Sequence, residues 1–233
     1  MFFHNLFIAS LHSSESWEEA NLLQIRWHGH SCFEITDDVT LVTDPHDGKS
    51  IGISPPDVTG DIILLSHDHY DHNSVKSVVN EKSIVVKDGT AKTVSGVQIR
   101  GIGSFHDEYD GRKRGSNLIY LFNMDDIAFC HLGDLGHMLD EDAVQQISDV
   151  DILFIPVGGN YTIDSANAWV VIDSIKPRVV VPMHYKFGGL SLPISEVDSF
   201  LLKSSIRILH VGNEMDIERE DLPDDLEIWV FTL

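Results

Sequence analysis

The sequence predicts an α/β (α+β) domain in which mixed sheets are covered by helices. Three observations carry that prediction. The first half reads as one short strand after another, the second half alternates strands with helices, and several strands are apolar throughout, as strands covered on both faces are. With 233 residues there is room for one substantial domain, read here over residues 22–233 behind an N-terminal extension at residues 1–21.

Leu23, Ile25 and Trp27 alternate with Gln24, Arg26 and His28, the period of a half-buried strand over residues 22–28. Residues 32–35 and 39–43 flank the turn-forming pair Asp37-Asp38 and predict a hairpin. Residues 61–66 (DIILLS) carry a continuous apolar run, too short for a helix and typical of a strand covered on both faces. Strands follow at residues 84–87, 97–105, 118–122 and 127–131. Residues 140–147 then predict a helix with Asp140 as its N-cap, 152–157 a buried strand, 165–175 a helix behind Asp164, and 178–183 another buried strand. Residues 195–204 have the pattern of a capped amphipathic helix, and strands at 206–211 and 227–231 close the chain.

Charge narrows the function. Sixteen Lys and Arg against 37 Asp and Glu leave a net charge of −21. A surface that acidic repels nucleic acid and anionic membranes unless a basic patch or bound cations reverse the field. Thirteen histidines turn attention to bound cations, because imidazole is the commonest ligand of transition metals. The 42% hydrophobic content excludes a disordered chain. Cys32 and Cys130 form no CxxC pair and no disulfide framework, so a reducing cytoplasm is the expected compartment. No stretch approaches the roughly 18 apolar residues of a membrane span. Residues 1–10 (MFFHNLFIAS) are apolar but lack the basic flank of a signal peptide; the extension is expected to pack, fray or touch a neighbouring subunit.

The densest chemistry follows the strand at residues 61–66. His67-Asp68-His69-Tyr70-Asp71-His72 places three histidines and two aspartates within six residues. His67 and His69, two apart in an extended segment, project to one side and can grip one ion. Asp71 and His72, expected at the start of a helix, point elsewhere and can grip a second. Imidazole with carboxylate suits zinc, manganese or iron better than calcium or magnesium. Three more candidates stand just beyond apolar strands: His106 after 97–105, Asp134 after 127–131 and His184 after 178–183. Any one of them alone is as readily a satisfied polar residue. Together they share the carboxyl ends of strands, where open α/β sheets place their ligands.

HxHxDH at residues 67–72, His106, the Gly133-Asp134 pair and His184 together resemble the metallo-β-lactamase fold superfamily of metal-dependent hydrolases. Within it, WHGHSCF (27–33), TDP (43–45), HLGDLGH (131–137), IPVGG (155–159) and PMHY (182–185) are similar to segments of the UlaG-like ascorbate-phosphate lactonases and an uncharacterised Zn-dependent hydrolase group. The likeness spans about residues 23–212. It implies a four-layer αββα sandwich, two mixed sheets face to face with helices outside. It also implies two divalent ions, zinc or alternatively manganese: His67, His69 and His106 on one, Asp71, His72 and His184 on the other, Asp134 bridging. Asp44, before Pro45, matches an aspartate that orients ligands from behind them; a plain Asp-Pro turn is the competing reading.

From that resemblance follows hydrolysis of a small anionic ester, phosphoester or lactone by a metal-bridging hydroxide, with Asp71 both binding metal and orienting the nucleophile. His131 is the candidate proton donor to the leaving group, against a core histidine. His28 and His30, around Gly29, are candidates for lining the cleft, as is Asn117. Arg112 and Arg114 in DGRKRG (110–115), and Lys186 after His184, suit an anionic substrate, against a solvated turn. A small-molecule substrate is expected, with no nucleic-acid or membrane partner; UlaG-like relatives assemble, so a homo-oligomer is expected by resemblance. The alternatives are a nucleic-acid phosphodiesterase of the same superfamily, which the net charge of −21 opposes, and a metal-binding scaffold without activity. A di-iron role is disfavoured because such relatives usually have Glu where this chain has His69.

Overall fold

Apolar and polar residues alternate along β1 (Leu23–Trp27), so Leu23, Ile25 and Trp27 are buried while Gln24 and Arg26 turn outward. β1 pairs antiparallel with β2 (Phe33–Thr36), and β2 with β3 (Thr40–Thr43). Next, β4 (Ile62–Leu64) and β5 (Ile84–Val86) add in parallel. The chain then crosses to a second sheet through β6 (Lys92–Val94), β7 (Val97–Phe105), β8 (Ser116–Met124) and β9 (Ile127–His131), an antiparallel run. From there strands alternate with helices: α1 (Glu141–Gln146), β10 (Ile152–Pro156), α2 (Ser165–Ile175), β11 (Val179–Met183), α3 (Asp198–Leu201) and β12 (Arg207–His210). Finally β13 (Glu214–Ile217) returns to pair with β1, and β14 (Glu227–Val230) slots between β11 and β12. The sheet orders are β13-β1-β2-β3-β4-β5 and β12-β14-β11-β10-β9-β8-β7-β6. This computed structural model describes residues 22–202 and 204–233; the extension at residues 1–21 lies outside the described residues.

The sheets pack face to face over one apolar core. Trp27, Phe33 and Ile35 of the first meet Phe122, Phe129 and Phe154 of the second, with the Phe33 and Phe154 ring centroids 4.4 Å apart. Because β9, β10 and β11 run parallel, α1 and α2 are the crossovers between them, and the first sheet already occupies the inner face. The helices therefore lie outside, where Trp169 of α2 stacks on Phe200 of α3 at 4.7 Å. Two mixed sheets with helices outside make an α/β sandwich, the fold class the sequence predicts.

Two expected helices differ. Over the first sheet, Cys32, Val42, Ile63, Leu65 and Val78 form a smaller cluster roofed by loops and one 3-10 turn, Val75–Ser77. No α-helix starts at Asp71: the His72 N–H closes a turn onto the His69 carbonyl, and the Ser74 N–H is drawn to the Pro45 carbonyl at 2.7 Å. The helix expected over 195–204 shrinks to α3, because the Ser195 N–H bonds the Gly158 carbonyl and Glu196 bridges Lys186, which commits that backbone to strand-like pairing. Among the described residues, no helix is long and apolar enough to cross a membrane.

Candidate metal centre

Five strand ends and one hairpin converge at one rim of the sandwich. Asp44 follows β3, His67 to His72 follow β4, His106 follows β7, Asp134 follows β9 and His184 follows β11. The sixth contributor is the β1–β2 hairpin, which carries His30. Gly29 precedes it at φ +95°, where a Cβ would stand 2.8 Å from Ile53 Cδ1, so the turn needs glycine. His30, Asp44 and His184 themselves hold left-handed backbones, at φ +56°, +38° and +52°. Non-glycine residues are strained there by about 1–3 kcal/mol each, a cost that gathers at functional sites.

Three overlapping groups of donor atoms result, and in one of them Asp44 meets His67 and His72. His67, His69 and His106 offer ring nitrogens within 4.8 Å of one another, and so do His30, Asp71, His72 and His184 with their nitrogens and one carboxylate oxygen. Asp134 stands between these last two groups. Its Oδ2 lies 3.2 Å from His106 Nε2, 3.2 Å from His184 Nε2, 3.3 Å from His72 Nε2 and 3.8 Å from His67 Nε2.

Hydrogen bonds behind the donors fix which nitrogen faces the site. Asp44 accepts from the Ser66 N–H (2.7 Å) and from Ser66 Oγ (2.6 Å). The Ser66 hydroxyl has thereby used its proton, so His67 Nδ1 must donate to it at 2.8 Å, leaving Nε2 as a bare lone pair. Asp44 also accepts from His72 Nδ1 at 3.2 Å, which turns Nε2 toward the site. Such anchors raise ligand basicity and hold ring orientation. Asp134 is presented by Asn117, whose Oδ1 accepts the Asp134 N–H (3.0 Å) while its Nδ2 donates to Ser104 Oγ and the Leu132 carbonyl.

These residues fit a divalent cation. His67 Nε2 and Asp134 Oδ1, both facing the site, are buried without a hydrogen-bond partner, and leaving such groups unpaired costs about 1–3 kcal/mol each. Three buried carboxylates, Asp44, Asp71 and Asp134, have histidines rather than lysine or arginine within ion-pair distance. Burial first, and then His72, holds the His67 ring down to about 3; burial and then His184 hold His30 at about 3. Both rings are therefore neutral, the form that ligates. Burial alone would raise Asp134, but His184 and His72 reverse this and hold its carboxyl well below the usual range. Burial would likewise lower His72, yet Asp134 and then Asp44 lift it well above an ordinary histidine.

The remaining candidates divide. Arg114 lines a cleft of about 230 Å³ together with His69, Asp71, His106, Asp134 and His184, and its guanidinium lies 4.5 Å over the Tyr161 ring. Arg112 points to solvent and pairs with Asp110 at 3.6 Å. His131 is not placed to pass a proton: it is 1% exposed, Nε2 donates to the Ser31 carbonyl (3.1 Å) and Nδ1 accepts the Gly133 N–H (3.2 Å). His28, one residue past β1, donates to Glu34 at 2.8 Å and does not line the cleft. Asn117 is buried behind Asp134 rather than exposed to a substrate. Lys186 spends its ammonium on the carbonyls of Leu190 and Leu192. His30 lies in the donor group itself, not along the wall. Sequence reasoning missed Tyr70 and Tyr161 in the cleft, and Ser66 behind His67; Ser66 had a signal, standing directly before the HxHxDH run.

The comparisons with known proteins agree with this geometry. A profile of the beta-lactamase superfamily domain matches residues 24–184. The UPF0173 metal-dependent hydrolase of Thermoplasma acidophilum is 28% identical over 187 residues, covering 70% of this chain and 83% of that protein. One from Bacillus licheniformis is 25% identical over 232 residues, covering 84% and 100%. Among solved structures, a Thermotoga maritima protein assigned as a Zn-dependent hydrolase of the metallo-beta-lactamase superfamily shares 35% identity at a TM-score of 0.73, covering 90% of this chain and 100% of that one. A Parabacteroides distasonis chain shares the fold at 20% identity and a TM-score of 0.63. The matched profile, the converging strand ends and the His/Asp cluster give one conclusion: the chain belongs to the beta-lactamase superfamily domain family, with the metallo-β-lactamase fold, and its relatives are metal-dependent hydrolases.

Proposed function

We propose that the protein is a metal-dependent hydrolase with a dinuclear centre, acting on a small anionic ester, phosphoester or lactone. One observation carries the reading: a single oxygen, Asp134 Oδ2, is 3.2–3.3 Å from the Nε2 atoms of His72, His106 and His184, which belong to both donor groups. Zinc suits this imidazole and carboxylate set, with manganese as the alternative. His67, His69 and His106 would hold one ion, Asp71, His72 and His184 the other, with Asp134 shared. Bound there, such ions supply Lewis acidity and an acidified water. Arg114 supplies the cationic wall of the cleft and would hold an anionic substrate by charge-assisted hydrogen bonds. Burial and then Asp71 raise the Tyr70 phenol above its ordinary range, so the residue lines the same space with its proton in place. A cleft of about 230 Å³ is below the usual size of drug-like sites, which favours a small substrate.

Metal analysis with turnover of bis-p-nitrophenyl phosphate and a lactone panel tests the reading. Chelation should abolish turnover and zinc or manganese restore it. Stoichiometric metal without turnover across a broad ester library would favour a scaffold instead. Arg114→Gln should raise KM for anionic substrates about 10-fold or more, the loss of one charge-assisted hydrogen bond, and leave neutral esters alone. Equal effects on both would remove Arg114 from substrate binding.

A further inference from the structure

His30 stands apart from the metal ligands that the HxHxDH pattern implies, yet it shares their surroundings. It is fully buried, and its backbone is locked: the His30 carbonyl accepts both the Trp27 indole N–H and the His184 N–H, each at 3.2 Å. This fixes the ring against His184, at 4.3 Å between centroids, and against His72, at 4.7 Å. His30 Nε2 lies 3.1 Å from His72 Nε2 and 3.2 Å from Asp71 Oδ2.

We infer that His30 is a fifth protein donor to the inner metal ion, alongside Asp71, His72, His184 and Asp134. This rests on the dinuclear reading above. Donors about 2.1 Å from a common ion stand roughly 3.0–3.4 Å from their neighbours. The chain of contacts Asp71–His30–His72–Asp134–His184 has separations of 3.2, 3.1, 3.3 and 3.2 Å. The rival is a hydrogen bond from His30 to Asp71. A proton on Nε2 serves one of its two close acceptors well and the other poorly, whereas a cation among them engages every lone pair. The outer group has four donors, His67, His69, His106 and Asp134, and only it contains half-buried residues. The centre is thus asymmetric: a donor-rich, buried inner ion and an outer ion with room for substrate.

The test uses metal-stripped, full-length protein reloaded with zinc and titrated with a chelator. The wild type should bind two equivalents and release the outer one first. His30→Ala should weaken the inner equivalent about 10- to 100-fold while circular dichroism stays unchanged. His30→Gln, which keeps an N–H near the Nε2 position, should weaken it equally; rescue by Gln would assign His30 to hydrogen bonding and overturn the inference. Should His30→Ala not fold, long-range 1H–15N spectra of zinc-loaded wild type decide: Nε2 should carry no proton, and a retained proton overturns the inference. Two unchanged equivalents in both variants overturn this inference alone. A wild type that binds no divalent cation overturns the hydrolase reading with it.

Discussion

Asp44 concentrates more of the site's order than any residue that faces the cleft. One carboxylate, held at φ +38°, accepts the Ser66 N–H, the Ser66 hydroxyl and His72 Nδ1–H, and through that hydroxyl also sets the His67 ring. Asp44→Asn keeps the shape but brings an NH2 against those donors, so the His72 proton loses its acceptor and the ring is free to present the wrong tautomer. We expect metal affinity to fall about 10- to 100-fold and stability by about 1–3 kcal/mol, read by chelator competition and urea denaturation; full affinity in this variant would show that His72 needs no anchor. At this scale the sequence displays residue types but not the direction they face. His131 shares a strand face with Ile127 and Phe129, so period-2 alternation points it inward to the core, while His28 lies one residue past β1 and is taken up by Glu34. Neither faces the cleft. Nothing comparable was legible for Asn117 or Lys186, because their partners are a distant loop N–H and the carbonyls of an irregular local loop, neither of which has a periodic signal.

Elements were most legible where local pattern and tertiary demand coincide. β7, β9 and α2 span the residues their patterns imply, because each combines consistent periodicity with clear end signals. β6 and β13 went unread: each is short and lies at the edge of its sheet, paired on one side, so it needs little apolar sequence. The strand-to-loop junctions that carry His67, His106, Asp134 and His184 were legible for the opposite reason, since each buried strand announces where it ends. α2 offers the cleanest test of local coding. Asp164 caps it by accepting the Asn167 N–H at 2.9 Å, and the helix is the crossover that keeps β10 and β11 parallel. Asp164→Ala should cost about 1 kcal/mol, lowering Tm by about 2–4 °C for a chain of this size, with metal content unchanged. A loss several times larger would mean that Asp164 supports more than the helix end.

Across the whole molecule, the site is where the two sheets are joined by polar groups instead of apolar core. His30, Asp44 and the His67–His72 run belong to the first sheet; His106, Asp134 and His184 belong to the second. Without cations, three buried carboxylates sit in a chain of net charge −21, and only histidines offset them locally. Bound divalent ions would therefore act as a clamp between sheets, and linkage fixes the size of the effect. An ion at 100 times its Kd stabilises the folded state by about 2.7 kcal/mol, which is roughly 5–11 °C in Tm. The zinc-loaded protein should melt at least that much higher than the chelated protein. Screening of the overall charge is the competing cause, and it is separable: sodium chloride at matched ionic strength acts on surface charge alone, and magnesium prefers all-oxygen sites. Both should give much smaller shifts. Asp134→Asn, which weakens the shared donor, should shrink the zinc shift while leaving the salt response intact. Equal shifts with zinc, magnesium and salt would show that the rim is a polar seam and not a metal clamp.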